Sequence, residues 1–193
     1  MSENSRATRV DAQRSRAAIL DAALSVLGRE PDAGLQAVAR AAGVSRQTVY
    51  AHFGSREVLL AAVLDHATLR ARRAIEDASL ADGPAPDALI RFLDAAWAVF
   101  DGTPGLAHLT AQVADRAGDA GRHEPVTEQL LGLIRRGQEE HDFDRLLPAE
   151  WLVAATIALG HAAGEAVADD RLDSATAAQL LRQSVLRLCG VPV

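Results

Sequence analysis

The chain has 193 residues, 49% of them hydrophobic, with a net charge of −6 and a single cysteine, Cys189. That is enough apolar content for a sizeable core in one or two domains, and a lone thiol excludes an internal disulfide and suits a reducing compartment. The opening MSENSRATRV has no apolar stretch to act as a signal peptide. The longest apolar run, residues 151–168, is broken by Thr156, His161 and Glu165, short of the roughly 18 apolar residues of a membrane span, so a soluble, cytoplasmic protein with no membrane partner is expected.

The charge is unevenly placed. Residues 1–60 hold 8 arginines against 6 acids, a balance of +2, whereas residues 61–193 hold 12 against 20, a balance of −8. If the basic end meets a polyanion, the acidic remainder must face away, since its repulsion acts within a Debye length of about 8 Å.

Residues 1–8 are polar and read as a disordered arm leading to a first helix over 14–27, striped by Ile19, Ala23, Val26 and Leu27. Gly28 to Gly34, with Pro31, is a breaker. Leu35, Val38, Ala39 and Ala42 then recur at helical spacing. Gly43 stands where a helix end favours a left-handed residue, Val44 can plug the corner, and Ser45 can cap the next helix. That helix, SRQTVYAHF, turns Val49 and Phe53 inward at i, i+4 and leaves Arg46, Gln47, Thr48, Tyr50 and His52 outside. A bracing helix, a tight turn and a polar second helix make the layout of a helix-turn-helix, though any αα-hairpin shares the outline. Ser55 then caps a fourth helix, to about Ser79, with Glu57 in its first turn. Asp82-Gly-Pro-Ala-Pro86 is the clearest break. Beyond it the pattern predicts helices over 87–101, 104–117, 124–140, 148–168 and 174–189, with a loop at Gly118–Gly121. No segment alternates with period two, so the fold class is all-α.

The string AVARAAGVSRQTVYAHFGSREVLLAAVL, residues 37–64, resembles the TetR (tetracycline repressor) family of transcription regulators, and RSRAAILDAALSVL, residues 14–27, resembles that family's first helix. The chain departs from the family's pattern at Gly34, where Ser or Thr usually caps the second helix, at Arg56, where Lys is common, and at Gln47, where a small residue is frequent. The resemblance covers about the first third of the chain. It implies an N-terminal three-helix DNA-binding head, residues 1–60, joined by a long helix to a helical effector-binding and dimerisation body, residues 61–193. It also implies a homodimer made through the last helices.

The expected partners are a double-stranded DNA operator, a small hydrophobic or aromatic effector and a second copy of the chain, with no cofactor. Recognition-helix geometry makes Arg46 a reader of guanine and Gln47 of adenine. Tyr50 is placed for a thymine methyl or a phosphate, and Thr48, His52, Ser55 and Arg56 for phosphates. Ser45 opens that helix, and Arg14 and Arg16 are expected against the phosphate backbone or the minor groove. Trp97, Phe100, His108, Phe143, Trp151 and His161 are the candidate effector-binding residues, with packed core as the competing reading of each. Ala155, Leu159 and Ala162 on one helix, and Leu181, Val185 and Leu188 on the next, stripe the candidate dimer interface; internal core is the alternative. His161 and Glu165 lie at i, i+4 and would suit a metal, but no third ligand is evident and no metal site is expected. An all-α metal-dependent enzyme using this pair, and a helical protein-interaction module, are the alternatives from other classes.

Overall fold

The computed structural model describes residues 2–101, 103 and 116–192, and all regular elements among them are helices: α1 (Ser2–Leu27), α2 (Leu35–Ala41), α3 (Arg46–Phe53), α4 (Arg56–Asp77), α5 (Ala85–Asp101), α6 (Arg116–Glu139), α7 (Ala149–Ala168) and α8 (Ser174–Leu188). Two of these depart from the sequence pattern. α1 begins at Ser2, not after a disordered arm. Its first turns lack the apolar periodicity that marks a helix by pattern, yet they contain no Gly or Pro to oppose one. α6 runs without a break through the stretch read as a Gly118–Gly121 loop. Each glycine costs about 1 kcal/mol against alanine in a helix. Leu130, Leu133 and Ile134, buried farther along the same helix, offset part of this cost. The helix expected over 104–117 lies largely outside the described residues.

Two cores form. In the first, Ile19, Leu20, Ala23, Leu24 and Leu27 of α1 meet Leu35, Val38 and Ala39 of α2, Val49 and Phe53 of α3, and Leu59, Leu60, Val63, Leu64 and Ala67 of α4. The second gathers Ile75 at the far end of α4 with Ala85, Ala88, Leu89, Phe92 and Leu93 of α5, Leu130, Leu133 and Ile134 of α6, Leu152 and Val153 of α7, and Leu181, Val185 and Leu186 of α8. α7 lies along α8, and α5 along α4. The α4–α5 corner is tied by Arg91, whose Nε donates to the Ala78 carbonyl at 3.0 Å and whose Nη2 donates to that of Ser79 at 3.1 Å. Asp173 caps α8 by accepting from the Thr176 amide at 2.9 Å, and that bond, with one from the Thr176 hydroxyl, holds its carboxyl below the usual carboxylate range.

Leu181 and Val185 therefore do not belong to an outward stripe. They are buried in the second core of their own subunit, because α8 turns that face onto α5 and α7. Leu188, Ala155 and Leu159 are half-buried, and Ala162 is exposed.

The end of α5 returns to the first core. Val99 packs against it, and Thr103, buried, donates its hydroxyl to the Val99 carbonyl at 2.8 Å. Thr103 meets the end of α1 so closely that a Cβ on Gly28 would lie 2.6 Å from its Cβ.

A similar close approach occurs between Gly137 and Phe143, where a Cβ on the glycine would lie 2.5 Å from the ring's Cε2. The ring is buried and has little room to move. Gly137→Ala is expected to destabilise the fold by about 1–3 kcal/mol through overpacking. Urea denaturation of the two proteins checks this; an unchanged or raised midpoint would show that the ring yields.

Candidate functional site

The α2–α3 unit is built by local rules. Gly43 takes φ 67° at the end of α2, and the Val44 amide donates back to the Ala39 carbonyl at 3.0 Å, closing the turn. Val44 packs on the first core. Ser45 caps α3, its Oγ accepting from the Thr48 amide at 3.0 Å and pairing with the Thr48 hydroxyl at 2.8 Å. Gly54, at φ 71°, ends α3. Ser55 caps α4 by accepting from the Val58 amide at 3.3 Å. It also hydrogen-bonds Glu57, the main cause holding that exposed carboxyl below its usual range.

With Val49 and Phe53 buried, the opposite face of α3 carries Arg46, Gln47 and Tyr50 in solvent. The Arg46 guanidinium lies 5.4 Å from the Tyr50 ring centroid, and its Nη2 donates to the Tyr50 hydroxyl at 3.3 Å. The two side chains thus stand as one stacked, polar-tipped unit, an arrangement worth about 0.5–1 kcal/mol at an exposed site. His52 is half-buried, its ring tilted against Phe53. From α1, Arg16 sits with its guanidinium 5.1 Å from the Phe53 ring centroid, so its charge is carried beside α3, and Arg14 is exposed on the same helix.

Arg56 has another task. Its Nη1 donates to the Ala33 carbonyl at 2.5 Å and its Nη2 to the Pro31 carbonyl at 2.6 Å. A guanidinium engaged at both ends by backbone braces the Gly28–Gly34 connection against α4 and is not presented to a phosphate, as the sequence had suggested. The sequence signal was a basic residue beside a capping serine; the carbonyls it meets lie more than twenty residues away and leave no local trace.

A cavity of about 100 Å³ lies between α5, α6, α7 and α8. Of the effector candidates, Trp97 and His161 line it, joined by Phe92, Leu93, Leu130, Thr156, Ile157 and Leu181. Trp97 Nε1 donates to Ser174 Oγ at 3.1 Å, and Thr156 Oγ1 to the Leu152 carbonyl at 2.7 Å. Phe143 is not part of this wall: it fills the second core against Gly137. Nor is Trp151, which is 60% exposed at the start of α7. The Phe100 side chain and His108 lie outside the described residues. The wall residues missed by the sequence reading are, Phe92 and Thr156 apart, aliphatic side chains on helical stripes, whose pattern is that of any core position.

Residues 19–63 match the model of the bacterial regulatory proteins of the tetR family, a span running from the first buried residue of α1 into α4. The chain is 43% identical over 82 residues to the HTH-type transcriptional repressor LfrR of Mycolicibacterium smegmatis, covering 42% of this chain and 43% of that protein. It is 46% identical over 61 residues to the uncharacterized HTH-type transcriptional regulator TtgW of Pseudomonas putida, covering 31% of this chain and 46% of that one. The matched segments thus span less than half the length of either curated relative. The likeness extends further in structure. The TetR-like regulator LfrR from Mycobacterium smegmatis, solved in complex with proflavine, superposes with a TM-score of 0.73 at 28% identity over 94% of this chain and 98% of that one. In its matched segment and in its fold this chain is similar to the transcriptional regulators of the tetR family. The matched relatives are transcriptional regulators, which favours that reading of the chain over the metal-dependent one at His161 and Glu165.

Arg56→Ala is expected to cost about 1.5–3 kcal/mol, the worth of hydrogen bonds to a charged group. Arg56→Lys should recover only part, since one ammonium cannot reproduce the fork. Chemical denaturation of the three proteins checks this; equal stability of all three would show that the brace contributes nothing.

Proposed function

We propose that the chain is a cytoplasmic, dimeric, ligand-responsive repressor. On this reading the head, placed at residues 1–60, binds a palindromic double-stranded DNA operator. The body, residues 61–193, carries the effector site and the dimer interface. The observation that carries it is the exposed face of α3, a capped helix whose buried side is anchored by Val49 and Phe53 and whose outer side offers Arg46, Gln47 and Tyr50 together. Arg46 suits guanine O6 and N7, and Gln47 adenine N6 and N7. Thr48, His52 and the α4 terminus at Ser55 suit flanking phosphates, as do Arg14 and Arg16.

Support for the dimer comes from α7. By length and composition it is apolar enough to cross a membrane, with a mean hydropathy of 1.3, yet it is only 22% buried; the polar residues at 156, 161 and 165 do not offset its alanines and leucines, as the sequence pattern had suggested. In a chain with a DNA-binding head, such a helix is better explained by a second copy. Ala154, Ala158 and Ala162 are exposed along it, and Leu180 is 45% exposed on the neighbouring α8. Small side chains let helices approach closely, and two helices from each subunit form a four-helix interface.

Support for the effector comes from the cavity, and from the ligand named for the LfrR structure, a planar aromatic compound. A ligand releases DNA only if it binds the non-binding conformation better. α5 lines the cavity with Phe92 and Trp97 and reaches the head with Val99, so it offers the physical connection.

Electrophoretic shift and footprinting on DNA flanking the gene test the operator. Binding should weaken steeply with salt as arginine contacts release counterions. Arg46→Ala should cost about 1–3 kcal/mol and relax specificity at one position per half-site. Equal affinity for all duplexes, with no footprint, would count against the reading. For the dimer, Ala162→Glu should yield folded monomers by sedimentation. Leu181→Glu, placing a charge in the core, should unfold the subunit instead. A wild type that sediments as a monomer at micromolar concentration would refute the assembly.

A further inference from the structure

We infer that the effector is a small, uncharged, single-ring apolar molecule, a class distinct from the cationic three-ring dye held by the LfrR structure; this rests on the cavity being the effector site. Size is the first ground. The cavity measures about 100 Å³, whereas an apolar cavity of about 150 Å³ takes up benzene. One ring fits with a small adjustment of the wall; three fused rings exceed this volume and must either part the helices or leave apolar ring surface outside the cavity.

The chemistry of the wall is the second ground. Among the described residues lining the cavity none is an aspartate, glutamate, arginine or lysine. The two most directional polar groups already have their donors engaged, the Trp97 indole N–H on Ser174 and the Thr156 hydroxyl on the Leu152 carbonyl. The rest of the wall is the Phe92 and Trp97 rings and the aliphatic surface of Leu93, Leu130 and Ile157, with His161 and Thr127 as its remaining polar side chains. A cation entering here would leave its hydration shell with no carboxylate in the described wall to pair it, and cation–π attraction is smaller than the cost of desolvating an unpaired charge. A neutral ring gives up little on leaving water and gains contact with the ring faces and aliphatic side chains of the wall.

Toluene, benzylammonium and proflavine separate the possibilities, using the full-length protein in a Trp151→Phe background so that Trp97 is the sole tryptophan reporter. Toluene is expected to raise Tm and to quench or shift Trp97 emission, with benzylammonium at least tenfold weaker and proflavine weaker than toluene. Ala96→Leu, which adds volume at the wall, should weaken toluene binding tenfold or more; Ile157→Phe serves the same purpose if that variant does not fold. Benzylammonium or proflavine binding as tightly as toluene, with the same loss in the filled variant, would overturn the class and leave the site standing. No response of Trp97 to any of the three, or toluene binding unchanged in both filled variants, would overturn the site itself and the class with it.

Discussion

The helix α4 carries one apolar stripe that is buried in two places. Leu59, Leu60, Val63, Leu64 and Ala67 sit in the core with α1, α2 and α3, and Ile75 sits in the core with α5, α6, α7 and α8. At 1.5 Å per residue a helix of this length spans about 33 Å, so both cores are built on a single stiff element whose register is shared. A rotation of α4 about its axis would withdraw apolar side chains from both cores at once. The orientation of α3 depends on this, because Phe53 and Val49 are fixed against the same stripe, and the exposed face of α3 follows from which face is buried.

Secondary ties set the finer geometry. Arg56 binds the connection before α2 to the start of α4, and Arg91 binds the end of α4 to α5. The hydrogen bond between His66 on α4 and Asp21 on α1, with Nε2 and Oδ1 2.8 Å apart, lies on the flank of the first core. These polar contacts cross between elements distant in sequence. The exposed ones contribute little individually, whereas the part-buried fork of Arg56 stabilises more, and all of them favour this one arrangement of the helices.

What the sequence made legible follows the range of the interactions involved. The turn at Gly43, the caps at Ser45 and Ser55, the end of α3 at Gly54 and the inward pair Val49 and Phe53 are all decided within one or two helical turns, and all appear in the local pattern. So does the absence of any strand among the described residues. The start of α1 was hidden because a polar helix shows no apolar period, and the continuity of α6 because two glycines look like a break when packing is unseen. Leu181 and Val185 have the same stripe whether they face their own core or a second subunit, and only the placement of α8 against α5 and α7 decides. Phe143 and Trp151 were grouped with Trp97 by residue type; one proved to be core and the other surface. The role of Arg56 depends on two carbonyls beyond the reach of any local pattern.

The contact between Gly28 and Thr103 limits direction as well as distance. A glycine with no room for a methyl group, facing a buried β-branched side chain, leaves no slack for the end of α5 to advance toward α1. Close-packed interiors yield little under compression, whereas separating the two surfaces meets only the loss of their contacts. The junction therefore behaves as a mechanical stop. Movement at this junction is resisted in one sense and admitted in the other, so the contact between the end of α5 and α1 loosens far more readily than it tightens.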